Sequence, residues 1–137
     1  MEEDLIALLI ANAGISALFK AVASGETRVY WMRSPQTVAK PYATLMRVSG
    51  VPDETHGGRS GLEASRVQID VYGLTYASAK TAARAIDAFM QGRKGVQGNT
   101  EFQGIFRLNW REGFEDDATP DKLHRQSLDF EIWHKGA

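Results

Sequence analysis

The chain of 137 residues contains no cysteine. This excludes disulfides, thiolate metal sites and a thiol nucleophile, and it suits a reducing compartment. Charge of one sign is also lacking: the formal net charge is −1. A strong general affinity for nucleic acid or acidic membranes is therefore not expected. No apolar run is long enough to span a bilayer. The chain begins Met1-Glu2-Glu3-Asp4, whereas a secretory signal begins with positive charge, so the apolar stretch 5–11 is not read as one. The expectation is a soluble protein made in the cytoplasm, with no membrane partner.

Composition places the rest. An apolar fraction of 43% is ordinary for a globular protein. A chain of this length is expected to form a single domain, 1–137, burying roughly two thirds of its unfolded surface. The organising stretch is 62–90. In Arg66-Val67-Gln68-Ile69-Asp70-Val71-Tyr72 the aliphatic residues take every second place, the period of a strand with one buried face. Thr75 can cap a following helix. Tyr76, Ala79, Ala83, Ile86 and Met90 then form an apolar stripe at helical spacing, and Gly92 suits a left-handed stop.

Around that unit the chain reads in order. A first helix spans 2–12, with an acidic start that suits the helix dipole. Its wide apolar surface must pack on its own sheet or on a neighbouring subunit. Gly14 is expected to break it before a short helix, 15–23. Strands are expected at 29–33 and 42–49. The stretch 50–61, rich in glycine and carrying Pro52, Asp53, Glu54, His56 and Arg59, reads as the protruding tip of a hairpin. A second mobile stretch is expected at 92–98. The strand at 102–111 alternates Phe106, Leu108 and Trp110 with Arg107, Asn109 and Arg111, so the first three are expected inside. An acidic loop, 112–121, contains Glu115, Asp116 and Asp117 and leads to a last strand, 123–134. There Leu128, Phe130 and Ile132 face the core, and Trp133 stands on the outward face as a candidate contact. The expected fold class is α+β. A mainly antiparallel sheet of about four to five strands carries a central helix on one face, with N-terminal helices. Val67, Ile69, Val71, Ile86, Leu128, Phe130 and Ile132 are the expected core.

Catalytic and metal chemistry finds little support. His56 sits beside Asp53 and Glu54 without a fixed second ligand. His124 and His134 share a face of one strand but stand ~33 Å apart, too far for one metal. Ser60 lacks the strand–turn–helix elbow of a nucleophile. Gly57, Gly58 and Gly61 do not lead into a phosphate-binding Lys-Ser/Thr pair. The run Glu115-Asp116-Asp117 lacks calcium-ligand spacing. No catalytic residue, cofactor site or metal site is expected, and the chain is read as a non-enzyme. The alternative is a small α+β nucleic-acid-binding domain stacking bases on Tyr30, Trp31, Tyr72 and Trp110, although these lack the usual basic-aromatic signature.

Several segments in a fixed order carry a family resemblance. They are Val29-Tyr30-Trp31, Pro35-Gln36, Pro41-Tyr42 and Ser49-Gly50, then the 66–72 strand with Tyr76 and Ala79 after it, and finally Ser127-Leu128-Asp129-Phe130-Glu131-Ile132-Trp133-His134. Over nearly its full length the chain resembles the small tail-completion proteins of long-tailed bacteriophages, also called tail terminators or head-to-tail joining proteins. Prophages and gene transfer agents carry the same part.

The resemblance implies a structural virion protein at the head-proximal end of the tail, assembled in the host cytoplasm. It implies a homo-oligomeric ring, typically a hexamer, that caps the tail tube protein and meets the head–tail connector protein. DNA passes through the lumen without specific binding. A ring requires heterologous contacts. Asp53, Glu54, His56, Arg59 and Trp133 are the candidate contacts with a subunit or the tail tube. Glu115, Asp116 and Asp117 are the candidate lumen-facing residues.

Overall fold

In a computed structural model, residues 1–19, 27–32, 41–55, 58–115 and 123–136 are described. The elements are α1 (Glu2–Ala11), α2 (Ala13–Phe19), β1 (Val29–Trp31), β2 (Tyr42–Thr55), β3 (Gly58–Gly73), α3 (Tyr76–Met90), β4 (Gly95–Gln97), β5 (Thr100–Glu115) and β6 (Leu123–Gly136). They make one six-stranded sheet in the order β1-β2-β3-β6-β5-β4. β1 runs parallel to β2, and the other pairs are antiparallel. The class is α+β as expected, but with six strands instead of four to five. The added strand is β4, inside the stretch expected to be mobile. Its glycines turn the chain: Gly92, Gly95 and Gly98 all have positive φ, which glycine adopts without a Cβ clash.

Helix α3 follows the local rules. The Thr75 hydroxyl accepts from Ser78 N at 3.1 Å. The helix ends before Gly92, whose φ is +75°. Its buried stripe is Ala79, Ala82, Ala83, Ile86 and Met90. Tyr76 does not belong to that stripe: it is 47% exposed, and its hydroxyl donates to Glu112 Oε1 at 2.8 Å. Alanines let the helix lie close to the sheet. Where β3 meets its first turn, a Cβ on Gly73 would come 2.9 Å from Ala79 N.

The N-terminal break falls at Asn12, and Gly14 lies inside α2. The Asn12 side chain accepts from Ile15 N at 3.0 Å and so caps the second helix. Leu5, Leu9, Ile15 and Phe19 join the core under α3, so most of the wide apolar surface of α1 is covered within the chain. α1 touches both β1 and β4, the two outermost strands. The sheet is therefore curled into a trough around its helices. The first turn of α1 ties the two flanks together. Glu2 pairs with Arg47 of β2 at 2.9 Å, and Thr100 of β5 donates to Asp4 at 2.6 Å. Gly98 has φ +58°, and a Cβ there would run into the Asp4 carboxylate. Gly98→Ala is expected to lower unfolding free energy by about 1–2 kcal/mol through the left-handed backbone alone, with a further loss from displacing Asp4. Urea unfolding of the variant beside the wild type measures both contributions together.

All seven expected core residues are at most 1% exposed. β5 departs from its expected facing. Its ladder with β6 shifts register between Phe102 and Gly104 and again between Arg107 and Asn109. Each bulge adds a residue and reverses the facing of the residues after it. Phe102 and Ile105 are therefore both buried, while Phe106 and Leu108 are 45% and 49% exposed. Trp110 returns to the helix side, half-buried, and donates to Gln126 Oε1 at 2.8 Å. Lys80 and Arg107 lie 4.3 and 5.0 Å from its ring centre.

Candidate interaction surface

The described helices all belong to one core cluster on one side of the sheet. No described element covers the other side. Three features of that side and of the sheet ends are relevant: an overhanging ribbon, an apolar line and a shared-carboxylate cluster.

The ribbon comes from β2 and β3. The 50–61 stretch is less of a loop than its glycines suggest, because the ladder continues through Pro52↔Glu63, Glu54↔Arg59 and Thr55↔Gly58. The pairing of β3 with β6 stops at Glu63↔His134, so the outer part of the hairpin has no third strand. Asp53, Glu54 and Arg59 lie on the ribbon strands, and His56 lies outside the described residues. At the other end of the sheet, β5 finishes at Glu115 opposite Leu123; Asp116 and Asp117 lie outside the described residues. β5 thus ends at the opposite end of the sheet from the ribbon.

On the uncovered face, Val51, Ala64, Trp133 and Gly104 are successive partners across β2, β3, β6 and β5. The Phe106 ring lies over Gly104, 2.9 Å from where a Cβ would be. An apolar line therefore crosses four strands, ~14 Å at the usual strand spacing. Trp133 stands on this face, half-buried, as expected. Val51 is 63% exposed, and Phe106 is 45% exposed. Adjacent exposed apolar residues of this kind mark contact surfaces. The sequence hides the line because its members come from four strands and one of them depends on a bulge.

Next to the line, Arg66 Nη2 and Arg111 Nη1 both donate to one oxygen of Asp129, at 2.9 and 3.1 Å. The carboxylate is buried and both guanidinium groups are about half exposed. One strand row on, Asp70 accepts from Gln68 Nε2 at 3.0 and 3.1 Å and from the Ser127 hydroxyl at 2.6 Å. These polar groups cross-link β3, β6 and β5 on this face.

A serine, a histidine and a carboxylate meet on the helix side. Ser65 Oγ lies 2.7 Å from His134 Nε2, and Glu63 lies 3.4 Å from the same nitrogen. A nucleophile relay needs the acid on the other ring nitrogen, and Ser65 is only 1% exposed. The arrangement is structural. Among the described residues no group of three potential ligands could hold a metal ion. Burial holds the His134 pKa below its usual value, with Glu63 opposing and Arg47 adding to the effect. The unfolded chain then binds more protons than the folded one as pH falls below about 6.5. Stability is expected to fall from there towards the lowered folded pKa, by at most about 1.4 kcal/mol per pH unit. Comparing urea midpoints of wild type and His134→Gln across pH 5–7.5 tests this; an identical slope in both proteins assigns it elsewhere.

The Glu2 carboxyl is held below its ordinary range, first by a backbone N–H at the helix start, against burial, and then by Arg47. Glu112 is lowered by Tyr76 and then Lys80. Both act as braces between helix and sheet.

The model of a family described as "Tail completion protein gp17" matches residues 3–135. No curated protein matches the chain. A chain in a solved structure titled "Virion of native gene transfer agent (GTA) particle" superposes with a TM-score of 0.70. It is 23% identical, and the match covers 96% of this chain and 92% of that one. At that identity the likeness speaks for the fold.

Proposed function

The chain belongs to the tail completion protein gp17 family, and on that premise we propose that it caps the head-proximal end of a tail tube as a ring, stopping tube growth and joining tail to head. Membership of a structural tail family across nearly the whole chain is the observation that carries this reading. It is a virion protein of phage-like particles, and its role is structural. In the proposal it assembles in the host cytoplasm, as a hexamer, between the tail tube protein and the head–tail connector, with DNA passing through the lumen.

The geometry supplies suitable parts. A ring needs two different faces that meet, and this sheet has an overhanging ribbon at one end and an uncovered face beside it. Asp53, Glu54, His56 and Arg59 are the proposed contacts on the ribbon, with Trp133 on the face. Glu115, the last residue of β5, and the following Asp116 and Asp117 are proposed to line the lumen, where negative charge repels DNA. The nucleic-acid-binding alternative gains no support from the uncovered face. There Arg66, Arg111 and Arg125 are balanced by Asp70, Asp129 and Glu131, which leaves no net positive field for phosphates.

Purified tail tubes mixed with the protein provide the test. Negative-stain images are expected to show six-fold rings at one tube end and no further elongation when tube protein is added. Tubes that elongate equally with and without the protein would overturn the proposal.

A further inference from the structure

Deepening the ring reading above and resting on it, we infer that neighbouring copies join edge to edge. β1 of one copy fills the gap beside β5 of the next, and β4 of that next copy fills the gap beside β2 of the first. The partner is a second copy of this chain because the two rims of the sheet match in outline. On one rim, β1 covers β2 only at Ala43, Thr44 and Leu45. From Met46 to Thr55 no described strand lies on the outer side of β2. On the other rim, β4 covers β5 only from Thr100 to Phe102. Ile105 and Arg107 then bond to Gly92 and Gln91, and from Leu108 to Glu115 no described strand lies on the outer side of β5. Open strand edges of this length are templates for pairing with another chain.

The ladders fix the height of each piece. Through β3 and β6, Ala43, Thr44 and Leu45 stand level with Glu112, Arg111 and Trp110 of β5. β1 therefore projects at the height where the opposite rim is open. By the same ladders, Gly95 of β4 is level with Phe102, His134, Glu63 and Pro52, so β4 projects at the height where β2 is open. The 91–92 turn lies between these heights. With copies side by side at one level, β1 of one copy shares a single strand-wide slot with the turn and β4 of the other, and no two pieces overlap. Each copy offers a different rim to each neighbour, and such a contact repeats around a closed ring.

Exposed apolar side chains follow the same pattern. Among the described residues, the central strands β3 and β6 carry no exposed large hydrophobic residue, whereas β2, β4 and β5 do. Val96 of β4 is in register with Glu101 and Lys135, two residues on from Trp133, so it shares the uncovered face with Val51. Both valines are more than half exposed. Across the seam they stand on adjacent strands two levels apart, ~8 Å. Within one chain four strand spacings separate β2 from β4, ~19 Å. Met32, next after Trp31, comes level with Leu108 and Asn109, which brings exposed Met32 to exposed Leu108. Covering these pairs removes apolar area from water. Pro52 supplies no N–H at the height of Gly95, so this part of the seam depends on the valines as well as on backbone bonds.

The absence of cysteine makes the test clean. Val51→Cys is combined with Val96→Cys, one thiol on each rim. Joined particles carrying the double variant are treated with a short bis-maleimide and run on a denaturing gel. The expected result is a ladder of multimers of this chain that is absent from either single variant. Joined particles that give no ladder, or that give an adduct with the tube protein instead, overturn the inference while leaving the ring reading intact. A charge pair gives a second readout at the same two exposed positions. Val51→Lys with Val96→Lys is expected to lose joined particles, and Val51→Lys with Val96→Glu to regain them, because like charges repel across the seam. Equal counts from the two pairs overturn the inference. If the wild-type chain neither caps tubes nor joins particles, the ring reading fails and the inference falls with it.

Discussion

Deleting residues 53–59 is expected to abolish head-to-tail joining while changing the unfolding free energy by less than about 1 kcal/mol, because an isolated two-stranded ribbon contributes little by itself. The small stability effect comes from position. The β3 ladder with β6 begins at Glu63, so the deleted pairs Glu54↔Arg59 and Thr55↔Gly58 support no other strand. After deletion, Pro52 and Glu63 can be closed by Ser60-Gly61-Leu62, a three-residue loop of a length common in hairpins. Gly61 already has φ +84°, the conformation such a loop needs. The functional effect is expected to be complete, because the deletion removes Asp53, Glu54, His56 and Arg59, every proposed contact on the ribbon. Urea unfolding and counts of joined particles measure the two quantities separately. A folded deletion variant that still joins heads to tails removes the ribbon from the mechanism.

Phe130→Ala is expected to have the largest effect on stability, a loss of about 3–5 kcal/mol. Phe130 is fully buried. It sits at the middle of β6, opposite Val67 on β3 and Arg107 on β5. Its neighbours are fixed by ladders on both sides, so the cavity cannot collapse easily. Against a typical total of about 5–15 kcal/mol, such a loss leaves little margin. The urea midpoint should fall with an unchanged slope, since the same surface is exposed on unfolding. A loss below about 1 kcal/mol would mean that β6 is paired in another register.

Legibility in the sequence tracks how local each signal is. β3 and β6 are readable because their alternation is uninterrupted through Val67, Ile69 and Val71 and through Leu128, Phe130 and Ile132. α3 is readable because Thr75 and Gly92 mark its ends. β5 misleads because its bulges reverse parity, and nothing in the 102–111 alternation announces an extra residue. The ribbon reads as a loop because glycine and proline suggest turns, whereas cross-strand bonds decide whether a ladder continues. β4 escapes notice for the same reason. The position of Trp133 on the outward face is legible, since it depends only on β6. Its companions Val51, Ala64 and Phe106 are not, since their meeting depends on three pairings between distant segments.

The central seam between β3 and β6 also has a consequence for synthesis. Ser65 and His134, which meet across it, are 69 residues apart in the chain. The clasp between Asp4 and Thr100 spans 96. Such distant pairings fold slowly, and this sheet cannot close until β6 has left the ribosome. A nascent chain halted before residue 123 would present β3 and β5 with open edges beside bare apolar faces, a template for aggregation. Truncated products are therefore expected in the insoluble fraction, and translation has to run nearly to the end of β6 before any copy can take part in assembly.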